Sequence, residues 1–231
     1  RKRFLGTHFF NPPRYLKLLE LIPGPETDPA LFAQMTDFCE QVVGKGAVLC
    51  KDTPNFIGNR IGSFGLGLAF KTMMELDLTV EEVDLLTGPA IGRPKSATFR
   101  TADIAGVDVC VKVSGNLYEL VPDDPQREVF KVPDFMQTML QKGFLGEKAG
   151  AGFYKKDGKE IQALDWKTLE HKPRSKPKFA SLEAAQNLPD VGARINAVMA
   201  GKDKAGQFLW KVLSQTSLYA AGLVPQISDD I

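Results

Sequence analysis

His8 and Glu20 are the residues of this sequence whose types and spacing could most readily do chemistry. His8, one of two histidines in 231 residues, stands in Gly6-Thr7-His8-Phe9-Phe10-Asn11-Pro12-Pro13, and Glu20 follows in Leu18-Leu19-Glu20-Leu21-Ile22. The first run reads as a strand broken by Pro-Pro, which puts the imidazole at or near a strand end. A carboxylate on the next extended run could then reach back to it. Imidazole titrates near neutrality and an acid fixes its tautomer, so the pair could move a proton at physiological pH. The same histidine could also be a partly buried residue satisfied by a neighbouring backbone group.

Other polar positions could serve such a pair. Asn59 sits in Asp52-Thr53-Pro54-Asn55-Phe56-Ile57-Gly58-Asn59-Arg60, in the first turns of a long apolar helix, where its amide could hydrogen-bond a substrate or only nearby backbone. Asn55 occupies a slot where a positive φ is plausible, which asparagine tolerates. Asn11 could face a cofactor or simply start the Pro-Pro turn. Lys148, in the glycine-rich run Gly143–Tyr154, could meet an anion or be solvated; that run lacks the order of a phosphate-binding P-loop. His171 falls in a polar stretch and is expected to be solvated.

The elements that must position these residues follow from periodicity. Residues 3–10 and 18–22 read as extended. Asp28-Pro29 opens a helix with apolar residues at helical spacing from Leu31 to Val43, and Ala47–Cys50 is a short buried strand. From 54 to 145 the pattern is almost purely helical, with Glu81 and Glu82 in the first turn of a helix that begins at Thr79. Residues 156–180 read as a linker of about 25 residues, longer than most loops within a domain. Helical patterns resume at 181–185, 191–200 and 203–221. The long helix 56–74 with its acidic sequel Leu78–Val83 is faintly repeated by 203–221 with Gln226–Ile231.

Composition narrows the classes. A hydrophobic share of 43% and a charged share of 25% are those of a soluble globular protein. A net charge of +1 gives no field for nucleic acid, and no apolar run is long enough to span a bilayer. The basic cluster Lys172–Lys178 carries two prolines and reads as solvated chain. Cys39, Cys50 and Cys110 have neither metal-ligand spacing nor a disulfide framework; they read as small buried hydrophobes in a reducing, cytoplasmic setting. Both ends look cut from something longer.

Taken together, Gly6–Pro12, Leu18-Leu19-Glu20, Asp52–Arg60 and Gly146–Tyr154 resemble the L-3-hydroxyacyl-CoA dehydrogenase family in order and spacing, over residues 3–155. The remainder resembles the second helical unit of the larger fatty-acid oxidation dehydrogenases. The resemblance implies NAD-dependent oxidation of an L-3-hydroxyacyl-CoA in β-oxidation. His8 would be the general base and Glu20 its orienting partner. Asn59 would bind the substrate oxygen, Asn11 and Lys148 would lie along the NAD site, and no metal would take part. The partner implied is an acyl-CoA, with a homodimer formed through the helical domain.

The expected fold is mainly α. Residues 1–51 would be the tail of a Rossmann α/β domain and 52–155 an all-helical domain; the linker 156–180 and the start of a second helical repeat, 181–231, would follow. Such a fragment, lacking most of an NAD-binding domain, would itself be inactive. Three features depart from the family pattern: Asn55 replaces its usual glycine, Arg93–Phe99 replaces its Met-Gly-Pro-Phe run, and no G-x-G-x-x-G or upstream serine is present. The rival expectations are a non-catalytic helical interaction module and a dehydrogenase of a free 3-hydroxy acid, which the His-Phe-Phe-Asn-Pro run and Glu20 oppose.

Overall fold

The computed structural model describes residues 1–229, which divide into two compact units, 1–62 with 218–229, and 63–217. In the first unit β1 (Leu5–Phe9) pairs antiparallel with β2 (Leu18–Pro23). Helix α1 (Pro29–Gln41) then leads to β3 (Gly46–Leu49), which runs parallel to β2. Parallel neighbours need such a crossover, and the sequence starts it cleanly: Asp28 accepts the Ala30 N–H at 2.9 Å, and Pro29 sits where its missing N–H costs nothing. Central β2 is buried from Leu19 to Ile22, and Leu19 and Leu21 pack with Cys39, Leu5, Phe32, Met35 and Ala47. Residues 218–229 close this unit, with Lys51 donating through its backbone to Ile227 O at 3.0 Å and through Nζ to Pro225 O at 2.6 Å.

The remaining elements follow in chain order as α2 (Gly58–Glu75), α3 (Val80–Thr87), α4 (Phe99–Ala105), α5 (Val107–Leu120) and α6 (Asp134–Gln141). After them come β4 (Tyr154–Asp157), β5 (Glu160–Asp165), β6 (Glu170–Pro173), α7 (Ala180–Ala185), α8 (Val191–Met199) and α9 (Lys204–Gly222). Thr79 and Glu82 form a reciprocal cap on α3, so the acidic first turn there is doubly explained.

The fold corrects the expected one in several places. The chain is not mainly α with a Rossmann tail ahead of the helices: residues 1–49 build a βαβ unit with its own core, and a second sheet, β4-β5-β6, is an antiparallel meander. That meander occupies most of the stretch expected to be a linker. Three of the four β4 residues are exposed and lysine-rich, so hydrophobic alternation is nearly absent and the strands look like solvated chain. His171 is not solvated either; on β6 its Nε2 lies 2.9 Å from Gly152 O, and its ring stands edge-on to Phe144. The division between the two compact units falls at residue 62, inside α2. The acidic helix start expected at Ser228–Ile231 runs into residues 230 and 231, which lie outside the described residues.

The glycine-rich loop is a packing device in the second unit. It inserts Phe153, fully buried, against Phe99 at 4.5 Å and Phe70 at 6.1 Å between ring centroids. Asp103, 1% exposed, accepts the backbone N–H groups of Phe153 and Tyr154, each at 2.8 Å. A Cβ on Gly152 would collide with that carboxylate, so the loop needs glycine there.

Burial pushes Asp103 up to about 6 in spite of these two donors. A folded-state value above the unfolded one means that the native protein holds the proton more tightly. Stability therefore falls as pH rises from about 4 to 6, by on the order of 2–3 kcal/mol. Asp103→Asn keeps one acceptor and does not titrate. The unfolding free energy of the parent minus that of the variant should drop by this amount between pH 4 and 7 in urea titrations. A pH-independent difference would contradict it.

Candidate active site

The twelve-residue gap between His8 and Glu20 is closed by strand register. Around the Pro12-Pro13 turn, His8 and Glu20 are directly opposite each other in the β1–β2 ladder, and cross-strand partners share a face. His8 Nδ1 lies 2.5 Å from Glu20 Oε2. The turn itself is clamped by Lys45, whose ammonium donates to Pro13 O and, at 2.7 Å, to Leu16 O.

Glu20 is fully buried, and a buried carboxylate survives only where its charge is met. His8 meets Oε2. Oε1 accepts the backbone N–H of Ile57 at 3.0 Å and of Gly58 at 2.6 Å, at the start of α2, where the helix dipole also favours a negative charge. The loop between β3 and α2 aims these donors by passing through the left-handed region twice, at Asn55 (φ 61°) and Phe56 (φ 55°). Asparagine tolerates this, as its position in the sequence suggested. For phenylalanine it is uncommon and strained, a cost that surrounding structure must offset.

Two aromatic rings flank the imidazole, Phe10 at 4.8 Å and Phe56 at 5.5 Å between centroids. The His8 side chain keeps 28% of its surface exposed. With Nδ1 engaged by the acid, Nε2 is the atom that can exchange a proton. Cys50, buried nearby in sequence beyond β3, has its thiol pushed up to about 11 by burial and then by the Glu20 charge, so it packs as an unreactive hydrophobe.

Asn59 lies one residue past the Gly58 donor, half-buried, and its side chain makes no hydrogen bond among the described residues. Of the two uses open to its amide, a hydrogen bond to nearby backbone is not made among the described residues. Asn11 is exposed just past the end of β1, and its amide likewise makes no hydrogen bond among the described residues. Lys148 belongs to the second unit, where its ammonium pairs with Asp108 at 2.6 Å and holds that carboxyl below the usual range. Among the described residues no group of three His, Cys, Asp or Glu side chains is placed to hold a metal.

Sequence reasoning missed several contributors. The backbone donors of Ile57 and Gly58 carry no side-chain signature, and the two rings look like ordinary strand and loop hydrophobes. Arg60, fully buried, donates through Nε to the Tyr219 hydroxyl at 2.6 Å, across a sequence separation that no local pattern discloses.

Comparison with known proteins gives this arrangement a context. Residues 1–53 match the family model described as 3-hydroxyacyl-CoA dehydrogenase, NAD binding domain, and residues 56–156 match 3-hydroxyacyl-CoA dehydrogenase, C-terminal domain. The first match completes the correction to the fold: the βαβ unit is NAD-binding-domain structure, set before a helical domain. A Bacillus subtilis protein named probable 3-hydroxyacyl-CoA dehydrogenase is 52% identical over 231 residues, all of this chain and 29% of that protein. The crystal structure of M. tuberculosis FadB2 is similar with a TM-score of 0.59 and 31% identity, over 68% of this chain and 53% of that one. That of (S)-3-hydroxybutyryl-CoA dehydrogenase PaaH1 from Ralstonia eutropha is similar with a TM-score of 0.58 and 31% identity, over 65% of this chain and 51% of that one. The chain thus spans about half or less of the length of each of these relatives.

Proposed function

The chain belongs to the 3-hydroxyacyl-CoA dehydrogenase family, and from that premise we propose that the protein carrying it oxidises an L-3-hydroxyacyl-CoA to the 3-oxoacyl-CoA with NAD, His8 being the general base and Glu20 its orienting partner. The observation that supports this most is the 2.5 Å contact between His8 Nδ1 and the fully buried Glu20. NAD, when bound, supplies the acceptor for the hydride that leaves the substrate carbon.

The chain's own residues do the rest. His8 donates its Nδ1 proton to Glu20, which leaves the Nε2 lone pair to take the proton of the 3-hydroxyl as the carbon–oxygen bond becomes double. The imidazolium so formed faces the Glu20 carboxylate, which stabilises it. Phe10 and Phe56 cover the ring on two sides and limit access of water. Asn59, whose amide makes no hydrogen bond among the described residues, follows the Gly58 donor in sequence, and we assign it to the substrate oxygen. Asn11, exposed just past the end of β1 and with an amide that makes no hydrogen bond among the described residues, is assigned to the cofactor side of the site. For Lys148, the ion pair with Asp108 favours a structural part over the cofactor contact implied by the resemblance.

The test is stereospecific turnover by the full-length protein, followed by formation of reduced nicotinamide from an L-3-hydroxyacyl-CoA. No turnover of the L isomer, or equal turnover of the D isomer, would overturn the assignment. Asn59→Ala removes an amide that supports no fold contact among the described residues, so the melting temperature should not move, while kcat/KM falls about 10- to 100-fold. An unchanged kcat/KM would remove Asn59 from the site.

A further inference from the structure

Gly58 opens α2, and its backbone does not explain why it is glycine. It is absent from the glycines held at positive φ, and alanine is the better helix former. Space does explain it. A Cβ there would stand 2.5 Å from Phe10 Cζ, 2.9 Å from Phe10 Cε1 and 3.4 Å from Glu20 Oε1. The same residue donates its N–H to Glu20 Oε1 at 2.6 Å, and the Phe10 ring it admits lies against His8 at 4.8 Å.

We propose that Gly58 is a positioning residue of the His8–Glu20 pair: its missing side chain is the seat of the Phe10 ring, and that ring together with the Gly58 N–H holds imidazole and carboxylate in register. The inference rests on the function proposed above. The atoms a methyl group would meet first, Cζ and Cε1, are the far end of a rotatable side chain, so an added methyl group displaces the ring and does not break the sheet. The ring's withdrawal then admits water to the imidazole and loosens the orientation that Glu20 imposes. Small misplacements of a base suffice to cost about 100-fold in rate.

The experiment is a double-mutant cycle of Gly58→Ala and Phe10→Leu in the full-length protein, with His8→Gln as reference. Gly58→Ala should lower kcat about 10- to 100-fold, leave KM within about twofold, and displace the acid limb of the kcat/KM profile against pH. In the Phe10→Leu background, where the smaller side chain leaves room, the same Gly58→Ala change should cost less than about threefold. A merely structural part for Gly58 would move stability and leave the pH profile in place, which would overturn the proposal; so would an equal cost in both backgrounds. Should Gly58→Ala fail to fold, recovery of folded, active protein in the double variant supports the proposal, and its failure there overturns it. If His8→Gln is inactive while Gly58→Ala behaves as the parent, only the positioning inference falls. If His8→Gln turns over normally, the underlying reading falls first.

Discussion

His8→Gln should lower kcat by about 10²- to 10⁴-fold while leaving the melting temperature and KM close to those of the parent. The expectation follows from what glutamine retains and what it lacks. Its amide can still donate to Glu20 Oε2, so the fully buried carboxylate is not stranded and the fold does not suffer. It cannot accept a proton and return it, and that capacity is what a general base contributes, worth about 10²–10⁴ in rate. Alanine would be a poorer test, because it strands Glu20 and confuses catalysis with stability. The measurement is the steady-state rate of nicotinamide reduction by parent and variant full-length protein, with thermal unfolding of both. A variant that turns over at the parental rate would remove His8 from the reaction.

How much of this was legible in the sequence depends on the range of each interaction. β1, β2 and α1 could be read because their signals are local: a proline break, a capping aspartate with proline behind it, and a single 3.6-residue period. The pairing of His8 with Glu20 needed only the assumption that two adjacent runs form a hairpin, since opposite residues then share a face. Asn55 could be read as a left-handed position from its residue type alone, and its φ of 61° agrees.

Other features are set by partners that the local sequence does not display. β4 and β6 are strands because β5 supplies their hydrogen bonds and buries Ala163 and Leu164, while their own side chains are mostly solvated. His171 looked like solvated chain for the same reason: what fixes it is a carbonyl at Gly152 and the ring of Phe144. The glycine-rich run hinted at an anion site, yet two of its glycines, Gly146 and Gly152, answer to Asp103, far earlier in the chain. Backbone donors at Ile57 and Gly58 are invisible to any residue-type argument, because every residue but proline has one.

Glu20→Gln should abolish most activity, by about 10³- to 10⁴-fold in kcat, in a protein that remains folded. Glutamine nearly matches glutamate in shape, and its carbonyl oxygen can still accept the N–H groups of Ile57 and Gly58, so the start of α2 keeps its anchor. The change falls on the other side of the group. Where the carboxylate accepted from His8 Nδ1, the amide nitrogen donates, and two donors cannot face each other across 2.5 Å. The imidazole must therefore turn its Nδ1 lone pair toward the amide and carry its proton on Nε2, the atom that should have been free to take one from substrate. Loss of the negative charge also removes stabilisation of the imidazolium once formed. A buried triad acid changed to its amide has this effect in the serine proteases, where the rate falls about 10⁴-fold with geometry intact. Glu20→Ala should differ in kind: it leaves His8 Nδ1–H and the two backbone donors without the acceptor that met them, at a cost of about 1–3 kcal/mol in stability for each donor left buried. The pair of variants separates orientation from scaffolding. If Glu20→Gln keeps more than about a tenth of the parental kcat, the carboxylate is holding the fold and not the tautomer, and the base must draw its orientation from its aromatic neighbours instead.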